Sequence, residues 1–283
     1  MLGLGRDQKD FYHEKGYLVI ENCIPQNIID RIRDSIHRLR DKAKDIKTSN
    51  SDFDVAAGHS TRTPKLRRIK DPVKQDPIFD ELMRSEILVE KIKPLLGGSV
   101  RFDHSKLNFK PPSSNAKIEW HQDWAFYPHT NDDILAIGVM IEDCTLENGP
   151  LMVIPGSHKG PVFDHHLDGI FAGGINPTSL GDEFESVTLT APAGSISIHH
   201  VRTLHASTEN YSSKDRPLLL YSYSAVDAFP IIRSIDFEEY NSRILVGEPT
   251  IEPRSKNVPM RVPLPKLVGA DSIYDDQSKL NGV

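Results

Sequence analysis

His121 and Asp123 stand two positions apart in the stretch IEWHQDWAFYP, residues 118–128, each beside one of the chain's two tryptophans. Imidazole and carboxylate are both donors to a divalent metal, and side chains i and i+2 of a strand point to one face. The pair can therefore aim at one ion while Gln122 turns away. Two ligands do not hold a metal, however, and a second HxD occurs at His166-Leu167-Asp168 in FDHHLDGIFAGG, where the glycines predict a flexible loop. The first copy lies among aromatic residues and leads into an apolar run, which makes His121 and Asp123 the stronger pair.

A third ligand must come from a later strand, and His129, His158, His165, His166, His199, His200 and His205 are the candidates. His205 stands out by the residues downstream of it. The segment HASTENYSSKDRPLLLYSYS reads as a strand end at His205, a polar turn and a new apolar strand entered by Arg216, which brings a guanidinium back to the same inner face from the adjacent strand. Guanidinium grips a carboxylate through two parallel hydrogen bonds. Two histidines and one carboxylate leave three coordination positions open, an arrangement that suits iron(II) taking a bidentate co-substrate and then oxygen. Arg216 then anchors the far carboxylate of that co-substrate. Singly, each residue has a plainer explanation: a solvated arginine, a hydrogen-bonded core histidine, tryptophans that pack, and a simple turn at Glu147-Asn148-Gly149-Pro150. The combined spacing of the four polar groups favours the metal reading.

These groups need strands to hold them. From residue 99 the chain breaks into short runs, VRFDHSKLNF, ILAIGVMI, PLMVIPG, SVTLTAP, GSISIHH and PLLLYSYSA, divided by turn residues and not by long helices. That texture predicts an antiparallel sandwich or barrel. Before it come a short polar helix at 7–15, a strand in GYLVIENCI, and a helix after Pro25 with Ile28, Ile32, Ile36, Leu39 and Ala43 on one stripe. Residues 47–64 read as an exposed polar loop, followed by helices at 77–84 and 86–95. The chain reads as one domain over 1–283: a helix-rich part at 1–98, a strand-rich core at 99–228, and an irregular proline-interrupted segment at 229–283 that wraps the domain or covers an opening.

The 283 residues are 38% hydrophobic and 26% charged, as in ordinary globular proteins, and the net charge of -6 gives no basic surplus for tracking nucleic acid. Cys23 and Cys144 form no CxxC and predict neither a disulfide framework nor a cysteine zinc site. No stretch approaches the roughly 20 apolar residues of a membrane span. With no signal-peptide pattern at the start and LNGV at the end, a cytoplasmic protein with no membrane partner is expected.

WHQD at 120–123, ENGPLMVIPGSHKG at 147–160, HASTENYSSKDR at 205–216 and the entry DFYHEKGYLVIENCI together resemble the phytanoyl-CoA dioxygenase family of iron(II)/2-oxoglutarate oxygenases, which includes ectoine hydroxylase. The resemblance covers roughly residues 10 to 225 and lies in the order and spacing of these pieces. It implies a mainly β fold with flanking helices around a double-stranded β-helix, or jelly roll. It implies His121, Asp123 and His205 as iron ligands, Arg216 as the 2-oxoglutarate anchor, and Ser207 and Asn108 as further co-substrate contacts. The implied reaction is hydroxylation of an unactivated C–H bond of a small organic substrate using oxygen, with succinate and CO2 released. Asp123 favours hydroxylation, because related halogenases lack this carboxylate.

The substrate is less legible. RTPKLRRIKDP clusters Arg62, Lys65, Arg67, Arg68 and Lys70, and Lys106 and Lys110 precede the metal strand. A solvated basic face is the plainer reading, and an anionic substrate such as a carboxylate, phosphonate or CoA ester the functional one. Trp124, Phe126 and Tyr127 either wall a substrate pocket or pack in the core. WAFYPHTNDD departs from the ectoine hydroxylase pattern, so ectoine itself is not implied. A cupin-like metal hydrolase or isomerase would show a closer HxH pair with a nearby glutamate. A non-catalytic jelly-roll binding protein is the remaining alternative.

Overall fold

Proline, capping residues and apolar spacing set the first elements of the computed structural model, which describes residues 3–56, 58–112, 117–181, 184–232, 234–265, 273–277 and 280. Helix α1 (Arg6–Lys15) stops at Gly16, whose φ of 78° and contact with the His158 ring leave no room for a Cβ. Strand β1 (Tyr17–Ile20) follows, then α2 (Gln26–Ala43), which buries Ile29, Ile32, Ile36, Leu39 and Ala43 with Ile28 partly buried beside them. Next come β2 (Phe53–Val55), β3 (Leu66–Lys70), α3 (Pro77–Arg84) and α4 (Glu86–Ile92), with Asp76 capping α3 by accepting from the Ile78 amide.

The strand-rich part runs β4 (Val100–Lys110), β5 (Ile118–His121), β6 (Ile134–Met140), β7 (Leu151–Val153), β8 (His166–Leu167), β9 (Ile170–Phe171), the short helix α5 (Pro177–Leu180), β10 (Val187–Leu189), β11 (Ile196–His200), β12 (His205–Ser207) and β13 (Arg216–Ser224). Helix α6 (Phe237–Ser242), β14 (Ile244–Val246) and α7 (Ile273–Gln277) complete it. No described helix is long and apolar enough to cross a membrane.

The larger sheet has the order β1-β11-β6-β13-β4-β3-β2, with β14 also on β4, and the smaller has the order β10-β7-β12-β5. All pairs are antiparallel. Leu107, Phe109, Ile137, Val139, Ile196, Ile198 and Leu219 form one apolar face of the larger sheet and pack with the buried residues of α2, α3 and α4. Tyr221 and Tyr223 pass through this layer and donate their hydroxyls to the carbonyls of Phe79 and Met83. The opposite face looks across a cavity at the smaller sheet. This is a jelly roll with helices on its outer side.

Register decides which face is polar. Between Phe102 and His104 the β4–β13 pairing shifts by a bulge, so Phe102 opposes Tyr223 and His104 opposes Ser222. The shift puts His104, Lys106, Asn108 and Lys110 on the cavity side while Leu107 and Phe109 join the core.

Several expectations need correcting. The polar stretch 47–64 contains β2, buried because it pairs with β3; three residues are too few to show a period. Besides the expected strand β1 at one edge of the larger sheet, the helix-rich first third also supplies β2 and β3 at the other edge. The second HxD is a two-stranded hairpin, turning at Asp168 with φ 50°. The C-terminal segment is irregular only in part, since it forms α6, β14 and α7 as well.

Candidate metal centre and its cavity

His121 ends β5 and His205 opens β12, and the two are direct register partners with ring centroids 4.0 Å apart. Their Nδ1 atoms donate to the carbonyls of Glu119 and Thr203 at 2.8 and 2.9 Å. Each ring thereby keeps its lone pair on Nε2, facing inward. Asp123 supplies the third donor, and one ligand atom from each residue lies within 4.8 Å of the other two, all three side chains being buried. The residues fit a divalent ion.

Strand alternation is not what brings Asp123 to this point. It opens a 3-10 turn, and extended Gln122 (φ -120°, ψ 127°) links it to the strand. Gln122 is fully buried on the other side, its amide donating to the carbonyls of Pro161 and Arg202 and accepting from the Phe163 amide.

Most other histidines are engaged elsewhere. His165 accepts from the Gln122 amide, His129 donates to Tyr127, His200 accepts from the Arg202 amide, His158 meets the His13 carbonyl, and His166 meets Asp164 and Pro263. His199 alone among them joins the site, with Nε2 3.3 Å from Asp123 Oδ2 and its ring 4.4 Å from that of His205. By sequence it ranks no higher than its neighbours, although ISIHH places it on the inward side of a strand.

Burial pushes the His121 ring down to about 4 and the His205 ring well below its ordinary value, with neighbouring imidazole charge adding to the effect on His205. Burial opposes ionisation of Asp123, yet the hydrogen bond from His199 and the nearby Lys106 ammonium outweigh it and hold the carboxyl well below its usual range. Two neutral imidazoles beside a carboxylate are the protonation states a divalent cation requires.

The inner recess, about 80 Å³, runs from these donors to Arg216 and is also lined by Asn108, Lys110, Ile118, Leu151 and Ser207. Arg216 arrives from the opposite sheet and not from a strand adjacent to β12, because the polar turn after Ser207 crosses from the smaller sheet to the larger. Its guanidinium donates to the carbonyls of Asn148 and Gly149, so the Glu147-Asn148-Gly149-Pro150 turn orients the arginine. Gly149 has φ 79°, and a Cβ there would stand 2.6 Å from Lys110 Cδ. Lys110 donates to the Thr208 carbonyl, and burial together with the Arg216 charge lowers it to about 6. Asn108 accepts from Arg68 Nε at 3.0 Å.

The three aromatic candidates separate. Trp124 is turned away from Asp123 by the 3-10 turn, packs with Ile134, Val162 and Val201, and donates to the Pro259 carbonyl at 2.9 Å. It does not line the cavity. Phe126 and Tyr127 line an outer chamber of about 530 Å³, where Phe126 meets the edges of His121 and Phe171.

The family model for phytanoyl-CoA dioxygenase (PhyH) matches residues 12–218. The chain belongs to the phytanoyl-CoA dioxygenase family. A Stutzerimonas stutzeri relative named probable alpha-ketoglutarate-dependent hypophosphite dioxygenase is 36% identical over 279 residues, covering 97% of each chain. The L-proline trans-4-hydroxylase of Streptomyces griseoviridis is 28% identical over 246 residues, covering 79% of this chain and 88% of its own. The iron-bound EctD structure from S. alaskensis superposes with a TM-score of 0.70 at 21% identity, over 91% of this chain and 88% of that one, a likeness of fold. This phytanoyl-CoA dioxygenase-family chain is an iron(II)- and 2-oxoglutarate-dependent dioxygenase, and its buried His-Asp-His donors suit that chemistry.

Proposed function

We propose that this dioxygenase hydroxylates an unactivated C–H bond of a small anionic organic molecule, with iron(II) held by His121, Asp123 and His205. The observation that carries the ligand assignment is the spending of both histidine Nδ1 atoms on backbone carbonyls, which leaves two Nε2 lone pairs and a carboxylate converging in a buried site. Iron bound there supplies, with 2-oxoglutarate and oxygen, an oxidation that delivers one oxygen atom to the substrate and the other to succinate, with carbon dioxide released.

Arg216, fixed by two carbonyls, holds the distal carboxylate of 2-oxoglutarate, and Lys110 adds a second cation to that end once the anion is bound beside it. Ser207 and Asn108 line the recess between and orient the co-substrate. Walls from Ile118, Leu151, Leu218 and Leu220 exclude water from the bound keto acid. The name of the S. stutzeri relative, which specifies hypophosphite, supports a small anion as substrate.

Purified protein with iron(II), ascorbate and 2-oxoglutarate is expected to form succinate. His121→Ala, Asp123→Ala and His205→Ala should each bring turnover to background and abolish stoichiometric iron. Retention of iron by all three variants would overturn the ligand assignment.

A further inference from the structure

Beyond the metal centre, the cavity face of the larger sheet carries a second group of cations. In the β3–β4 register Arg68 opposes Asn108 and Lys70 opposes Lys106, so these side chains share one face. The bulge in β4 turns Lys106 and His104 inward with them. Arg68, His104 and Lys106 line both the outer chamber, which reaches Asp123, and the near side of the inner recess; Lys70 lines only the chamber, and Arg216, Lys110 and Ser207 line only the recess. Among the described residues Lys106 has no hydrogen-bond or ion-pair partner, and its electrostatic neighbours are Asp123 and Arg68. Arg68 is oriented by Asn108 and has a further interaction besides, so its guanidinium is held in place and not free. The chamber's two other carboxylates, Asp71 and Asp276, are engaged: Asp71 pairs with Lys74 at 2.7 Å, and Asp276 also has a partner. Phe126, Tyr127, Ile170, Phe171 and Leu264 give the rest of the wall an apolar character.

We propose that Lys106 and Arg68 form a second oxoanion subsite, separate from Arg216, that takes the charged headgroup of the substrate while the aromatic wall takes its organic part. The proposal rests on the iron reading only for what happens next: a headgroup held there places the attached carbon chain beside the metal centre. An ammonium drawn out of bulk water is stabilised by a paired anion, and a guanidinium fork adds directional donors to the same oxygens. The two cations therefore select an anion against a neutral molecule of equal shape. Size argues for the organic part, since a chamber of about 530 Å³ is many times the roughly 10–15 Å³ of free space that admits one water. A bare inorganic anion would leave the rings of Phe126, Tyr127 and Phe171 in contact with water.

The test uses the full chain loaded with iron(II) and 2-oxoglutarate in the absence of oxygen, titrated calorimetrically with ethylphosphonate, propanoate, inorganic phosphate and 1-propanol. At least one organic anion should bind about tenfold or more tightly than both 1-propanol and phosphate, as expected where charged hydrogen bonds and apolar contacts act together. Ethylphosphonate in the lead identifies a phosphorus oxoanion headgroup, and propanoate in the lead a carboxylate. Lys106→Met and Arg68→Met should each weaken that anion about tenfold, with Lys106→Arg retaining most of the affinity and the 2-oxoglutarate affinity of Lys106→Met changing by less than about twofold. Equal binding of propanol and the anions by the wild-type protein overturns the subsite without need of any variant. Unchanged anion binding in folded Lys106→Met overturns it as well. Failure of 2-oxoglutarate to bind the wild type, with the anions still bound through Lys106, would instead remove the co-substrate reading and leave the subsite standing.

Discussion

His199 is placed to act on the metal centre without being one of its three convergent donors. Its Nε2 sits 3.3 Å from one oxygen of Asp123, while the other Asp123 oxygen faces His205 Nε2 at 4.0 Å. A carboxylate tied through one oxygen presents the second in a fixed direction, which is how an outer hydrogen bond tunes a ligand. His199→Phe keeps a ring of similar shape against His205 and removes the donor. Its iron(II) affinity, measured by competition with a chelator, should fall by about 10- to 100-fold. Binding of 2-oxoglutarate once iron is saturating should change little, because Arg216 lies at the other end of the recess. Unaltered iron affinity would show that the turn and the Tyr127 hydroxyl hold Asp123 without help from His199.

Trp124 links the core to the C-terminal segment, and here an element is at stake. Its indole donates to Pro259, Arg254 and Lys256 pair with Asp227, Asp133 and Asp132, and Arg261 donates to Val162, so residues 254–261 lie strapped across the jelly roll. Trp124→Phe should lower stability by about 1 kcal/mol and speed hydrogen exchange at the Lys256 amide, which is bonded to the Thr130 carbonyl, without affecting the amides of β6. A change in substrate KM with unchanged exchange would return Trp124 to the pocket wall. Elements with long apolar runs, such as β6, β11 and β13, were legible in the sequence because burial imposes a pattern on five or more residues. The three-residue β2 and two-residue β8 and β9 carry no such pattern, and their pairing comes from tertiary context. The HxD pair was legible as chemistry, but its geometry depends on a 3-10 turn that the strand rule does not describe. Arg216 was found through its spacing from His205, yet its approach from the opposite sheet could not be read from spacing, since that depends on which strands pair.

Over the whole molecule, buried histidines set the response to acid. Burial lowers His121 to about 4, His165 and His200 to about 3, and His205 well below its ordinary value. The unfolded chain protonates these rings near pH 6.5, so between there and pH 4 it holds up to four protons that the folded chain does not. Stability is therefore fully present above about pH 6.5 and is lost as the pH falls, with a limiting slope of roughly 5 kcal/mol per pH unit for four groups. Against the 5–15 kcal/mol typical of a folded domain, the metal-free protein should unfold near pH 5, with uptake of several protons. Iron(II) binds the neutral rings of His121 and His205 and so favours the folded state, by about 3 kcal/mol at a hundredfold excess over its Kd. Divided by that slope, this moves the acid midpoint down by roughly half a pH unit. Acid titration followed by circular dichroism, with chelator and with excess iron(II), measures both quantities. A metal-free midpoint below about pH 4, with proton uptake by the still-folded chain between about pH 6.5 and 4, would mean that these rings protonate without unfolding it and that the buried sites are far more accessible to water than their packing implies.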